Sequence, residues 1–174
     1  MTPFPHLDAE QQAAAAALAE YDVGQPPALK ARSAREACRL LTHVSQVREE
    51  VVAPFCVGRA PHRELDARVV EDDLIRVLIG EIMVTGPGNL LHDAVVGALK
   101  TAVRRRWASE AAPGGLWSWL AGDPDLRRID LAIGERLGEL DARSRAGDWA
   151  PLAPSGLESL RDSVPPGAVR WRDD

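Results

Sequence analysis

Chemically distinctive side chains are scarce in this chain. Among 174 residues there are two cysteines, one tyrosine, two phenylalanines and two lysines. Cys38 and Cys56 match no metal or redox spacing. A pair of buried thiols suits a reducing cytoplasm, and a disulfide scaffold is excluded. No apolar run approaches the ~18 residues that a membrane span needs. The opening stretch, MTPFPHLDAEQ, lacks the basic start and apolar core of a signal peptide. These absences predict a cytoplasmic protein without membrane attachment. Ser-His-Asp and Cys-His signatures are also missing. The acidic run Glu71-Asp72-Asp73 lacks the alternation and central glycine of a calcium loop. The segment Pro113-Gly114-Gly115 is too short to cradle a phosphate.

What is present describes an ordinary folded domain. Apolar residues make up 45% and charged residues 27%, which excludes a disordered chain. At this length folding buries ~70% of the unfolded surface, enough for a core without metal or disulfide support. The net charge of −5 argues against a nucleic-acid partner. Nineteen of the 21 cations are arginine, a bias that fits a GC-rich, alanine-rich coding sequence.

Periodicity and punctuation predict five helices. The first runs from about Leu7 to Tyr21, opened by an Asp8/Gln11 capping box and stopped by Gly24, Pro26 and Pro27. The second starts at a Ser33/Glu36 box. It buries Ala37, Leu40, Leu41, Val44, Val47 and Val51 along one stripe and ends at Pro54. The third, from about His62 to Val84, is apolar on most of its faces and is therefore expected at the centre. Asn89 caps the fourth, which fades near Pro113. Asp123 and Pro124 start the fifth, where Leu126, Ile129, Ile133, Leu137 and Leu140 repeat on one face and Gly134 and Gly138 permit close packing. No strand pattern is found. The expected fold is all-α: an up-and-down four-helix bundle with an additional closing helix over residues 1–148. A Pro/Gly-rich tail, 149–174, follows, with one short helical turn at Ser155–Glu158.

Three stretches carry a resemblance: LLTHVSQVREEVVAPF, VVEDDLIRVLIGEI, and VRRRWASEAAPGGLWSWL followed by DLRRIDLAIGERLGELDAR. In helix order and in the glutamate-proline ending of the second helix, residues 33–146 resemble the hemerythrin-like (HHE cation-binding) family. The resemblance implies a bundle that holds two irons with five histidines and two bridging carboxylates. This chain has only four histidines, and His6 and His62 stand beside prolines. The carboxylate of the second helix is kept as Glu50 or Glu49, while its histidine position holds Gln46 or Ser45. The third-helix pair reads Glu71-Asp72, with Arg76 one turn on, and the fourth-helix motif runs from Arg106 to Glu110. Carboxylates remain where imidazoles are lost.

Two expectations follow. His43, Glu50, Asp72 and His92 would hold at most one metal, iron first, with an open position. In the other, no metal binds and Glu50, Asp72, Arg76, Arg106 and Glu110 form a salt-bridge network in its place, because guanidinium forks offset buried carboxylates. Within Arg104-Arg105-Arg106, one arginine must point inward. Trp107, Trp117 and Trp119 would form a core lid or a contact patch. The function expected from the resemblance is a small-molecule or redox binding or sensing domain with a remodelled or lost iron site. The alternatives are a metal-free regulatory or interaction module with a small-molecule or protein partner, and an enzyme using Glu50, Asp72 or Glu110 for acid-base chemistry.

Overall fold

A computed structural model describes residues 2–153; the expected turn at Ser155–Glu158 lies outside them. Every regular element among the described residues is helical. In chain order these are α1 (Pro5–Glu20), α2 (Pro27–Val47), a π-helical turn (Arg48–Val52), α3 (Ala53–Cys56), α4 (His62–Val84), α5 (Leu90–Ala111), α6 (Leu116–Leu120) and α7 (Leu126–Arg145). Among the described residues, no helix is long and apolar enough to cross a membrane.

The helix starts follow local chemistry, not always at the expected residue. Asn89 caps α5, its Oδ1 accepting the Leu91 N–H at 2.9 Å. Asp123 accepts the Asp125 N–H at 2.9 Å just ahead of α7. The capping boxes expected at Asp8 and Ser33 instead lie inside their helices, because Pro5 and Pro27 take the first helical positions. Asp130 of α7 caps α1, accepting the His6 N–H at 3.0 Å and holding the ring Nδ1 at 2.7 Å. Gly134 makes room for that ring, since a Cβ there would meet it.

Pro54 does not end α2. The helix widens into the π turn, closed by Ala53 N–H to the Arg48 carbonyl, and α3 continues to Cys56. Proline offers no N–H and crowds the carbonyl four residues back, here Glu50. The wider turn just before it accommodates that defect.

α2 packs against α1, α4 and α7, and α4 packs against α5. The central helix is thus α2, not α4: Val69, Val70, Leu74 and Val77 of α4 are exposed.

Two apolar clusters form. One joins Ala14–Tyr21, Ala34–Leu41, Ile75–Ile82 and Val96–Val103, with Trp107 and Trp149 against it. The other joins Phe4, Leu7, Val44, Val47, Phe55, Leu116, Leu120 and the α7 stripe. In sequence, each long helix that serves both clusters, and α5 on its way to α6, carries polar groups between the two contributions. These are Gln11 on α1, Thr42 and His43 on α2, and Arg106 and Glu110 on α5, all buried.

Candidate functional site

The polar level between the clusters contains a guanidinium–carboxylate network. At its centre is Glu110 of α5, 0% exposed. Arg48 of the π turn grips it with two parallel bonds, Nη1 to Oε1 at 2.6 Å and Nη2 to Oε2 at 2.7 Å. Arg106, one turn back on α5, donates from Nη1 to the same Oε1 at 2.5 Å. Its Nε and Nη2 bind Asp72 of α4 at 3.0 and 3.1 Å. One carboxylate is thus shared by two arginines, and one arginine bridges two carboxylates. Burial pulls the Arg48 guanidinium down, but the Glu110 charge and hydrogen bonds outweigh it and hold Arg48 above its ordinary value.

Around this centre lie two further arginines of α4. Arg76 donates to Glu49 at 2.7 Å and stands 3.7 Å from buried Asp73. Arg68 donates to Glu71 at 2.8 Å, to Ser109 at 2.5 Å and to Glu64 at 3.3 Å.

The expected network is therefore assembled differently. Asp72, Arg106 and Glu110 are joined. Arg76 is a neighbour that reaches Glu49, not Glu50. Glu50 itself is bound on another face by Arg136 of α7, at 2.6 and 3.1 Å. The π turn explains this split, since a wider turn changes the phase of the residues it contains. It leaves Arg48 inside and both glutamates outside, and Arg48 takes the place expected of Glu50. Arg48 had a signal in the sequence. It lies four residues after Val44 and seven after Leu41, on the same stripe. Arg68 likewise lies four residues before Asp72.

The four candidate metal ligands keep separate company. Buried His43 meets Glu10 at 3.2 Å and Ser144 at 2.8 Å. Buried His92 donates from Nδ1 to the Thr85 carbonyl at 2.9 Å. Glu50 binds Arg136 and Asp72 binds Arg106. Among the described residues, no group of three His, Cys, Asp or Glu could hold a metal ion. An iron pair does not fit this donor set, because guanidinium groups occupy the interior beside the carboxylates that would have to ligate it.

A cavity of about 530 Å³ opens beside the network. Its polar wall is Arg48, Arg68, Arg76 and Arg106, against two carboxylates, Glu49 and Asp72. Its apolar wall includes Val52, Pro54, Leu65 and Leu116, and exposed Val57 and Val69 also line it. Cys56 lines it too, but burial pushes its thiol up to about 11, so it stays protonated and a poor nucleophile.

The tryptophans do not form one patch. Trp117 is buried edge-on to Phe4, with centroids 5.8 Å apart, Trp107 packs on the other cluster, and Trp119 is exposed. Arg106 is the inward member of its triplet, and Arg104 and Arg105 are exposed.

No protein-family model matches this chain, and no curated protein or solved structure is significantly similar to it.

Proposed function

We propose that this chain is a cytoplasmic small-molecule-binding or sensing domain on a hemerythrin-like, up-and-down helical bundle. In this reading the guanidinium–carboxylate network has taken over the place of the iron site, and the cavity beside it is the binding site. One observation carries the reading: a cavity of about 530 Å³, within the usual range for ligand pockets, with apolar walls and a cluster of arginines along one side. Two others support it. The π turn supplies Arg48 and Glu49 to the cavity, and such turns often mark functional sites. The buried network also fixes the arginine side chains before any ligand arrives, which lowers the ordering cost of binding.

The reading is tested on full-length protein expressed in iron-supplemented medium. Emission spectrometry should find far less than one metal per chain, and a stoichiometric metal would overturn the metal-free site. Nile red, a neutral apolar dye, should bind with one-to-one stoichiometry. Ala53→Trp, at the exposed edge of the cavity wall, should abolish that binding. Absence of dye binding, or binding indifferent to Ala53→Trp, would remove the cavity as the site.

A further inference from the structure

The geometry points to an aliphatic monocarboxylate as the ligand of this cavity, with its carboxylate displacing Glu49 from Arg76. The inference rests on the binding-domain reading above and adds the ligand class and the exchange.

The charge of the wall comes first. Among the described residues, four guanidinium groups and two carboxylates line the cavity. The other acidic partners, Glu64, Glu71, Asp73 and Glu110, contribute nothing to its lining. They hold the arginines in position through ion pairs. Guanidinium donors thus outnumber carboxylate acceptors on the surface a ligand meets, which disfavours an ammonium group and favours a ligand group that accepts hydrogen bonds. Arg48 and Arg68 each have a buried Nε with no partner among the described residues. Donor capacity thus remains in the wall, and an unpaired buried donor is costly until something accepts from it.

The second observation concerns Arg76 and Glu49. The Arg76 side chain is 5% exposed and fixed, whereas that of Glu49 is 53% exposed. A single hydrogen bond of 2.7 Å holds Glu49 on Nη2. Glu49 is thus a carboxylate bound to a buried guanidinium from the solvent side, at the edge of a cavity. An incoming carboxylate makes the same bond with the same geometry, and Glu49 swings into water at small cost, since half-exposed ion pairs are weak.

The third observation is the apolar remainder. Val52, Pro54, Leu65 and Leu116 are aliphatic or ring-saturated, with no aromatic ring among the described lining residues. Val57 and Val69 are exposed there. A flexible alkyl chain would cover them.

Calorimetry on the full chain with octanoate, octanol and octylamine tests the inference, with Nile red as the site reporter. Octanoate should bind about tenfold or more tightly than either neutral or cationic analogue and displace the dye. Glu49→Gln removes the internal competitor at an exposed position. It should tighten octanoate roughly two- to fivefold, because the competent state no longer competes with a bound carboxylate. It should leave octanol unchanged. If Nile red binds but the three analogues bind equally, or none displaces it, the carboxylate assignment is wrong and the cavity reading stands. Weaker octanoate binding by Glu49→Gln would overturn the exchange. Failure of Nile red itself to bind would overturn both.

Discussion

Glu110 accepts three N–H bonds from two arginines while fully buried. Removing one partner from such a group strands a charge away from water, at a cost of about 3–5 kcal/mol. Arg106→Ala should therefore unfold at far lower urea than the parent, while Arg104→Ala and Arg105→Ala should stay within about 0.5 kcal/mol of it. A pairwise repair is insufficient here. Replacing Arg106 and Glu110 together with leucine leaves Arg48 buried without its carboxylate. Arg106→Leu also strands Asp72, so stability should return only when Arg48→Met and Asp72→Leu are both added and the whole charged set is gone. Equal, small losses for all three single arginine variants would show that the network is not formed in solution. At this scale the sequence was legible where an acidic or basic residue interrupts an apolar stripe, as at Asp72, Arg106 and Glu110. It was misleading at Glu49 and Glu50, because two adjacent carboxylates cannot be ranked without knowing the phase of the turn that carries them.

That phase belongs to the helical elements. Helix existence was readable from the three-and-four spacing, and the start of α5 from Asn89. The π turn was not readable, because a proline in a helical stretch signals an end or a kink and does not say that the hydrogen-bond ladder will slip upstream of it. α6 was hidden for a related reason: the five residues LWSWL, four of them apolar, have no room to display a period. α4 was misjudged because an all-round apolar composition was equated with central placement, whereas its exposed side helps line the cavity through Val69. Two glycines give a paired test of how the elements meet. Gly138 lies on the exposed side of α7 with open space around it, so Gly138→Ala should stabilise by about 0.5–1 kcal/mol through helix propensity alone. A Cβ at Gly115 would instead strike the Ser109 and Glu110 carbonyls. Gly115→Ala should thus cost more than about 1 kcal/mol, with both read from thermal or urea transitions. A neutral Gly115→Ala would mean that the entry to α6 does not press on the last turn of α5.

At the scale of the whole molecule, the all-α class was legible and the division of the interior was not. Composition counts apolar residues without saying that they sort into two clusters. The first cluster draws on α1, α2, α4 and α5, and the second on α1, α2, α3, α6 and α7. Among the described residues, α1 and α2 place fully buried side chains in both, while Leu65 of α4 packs against the second cluster half-buried. On α1 and α2 the change-over is marked by a buried polar residue, Gln11 and His43. These residues read as isolated curiosities in sequence because their level along the molecule is fixed only by packing.

The same division bears on how the protein breathes. Two apolar clusters joined through hydrogen-bonded and charged groups have no continuous greasy seam to melt as one body. Amide exchange in low denaturant should therefore resolve two cooperative opening units. The core amides of α4 and of α5 up to Val103 should report one unit, and those of α6 and α7 the other. Truncating Phe55, which lies in the second cluster, should lower protection in α6 and α7 while sparing the α4 core. A single exchange class that shifts everywhere at once would show that the charged level welds the two halves together instead of separating them.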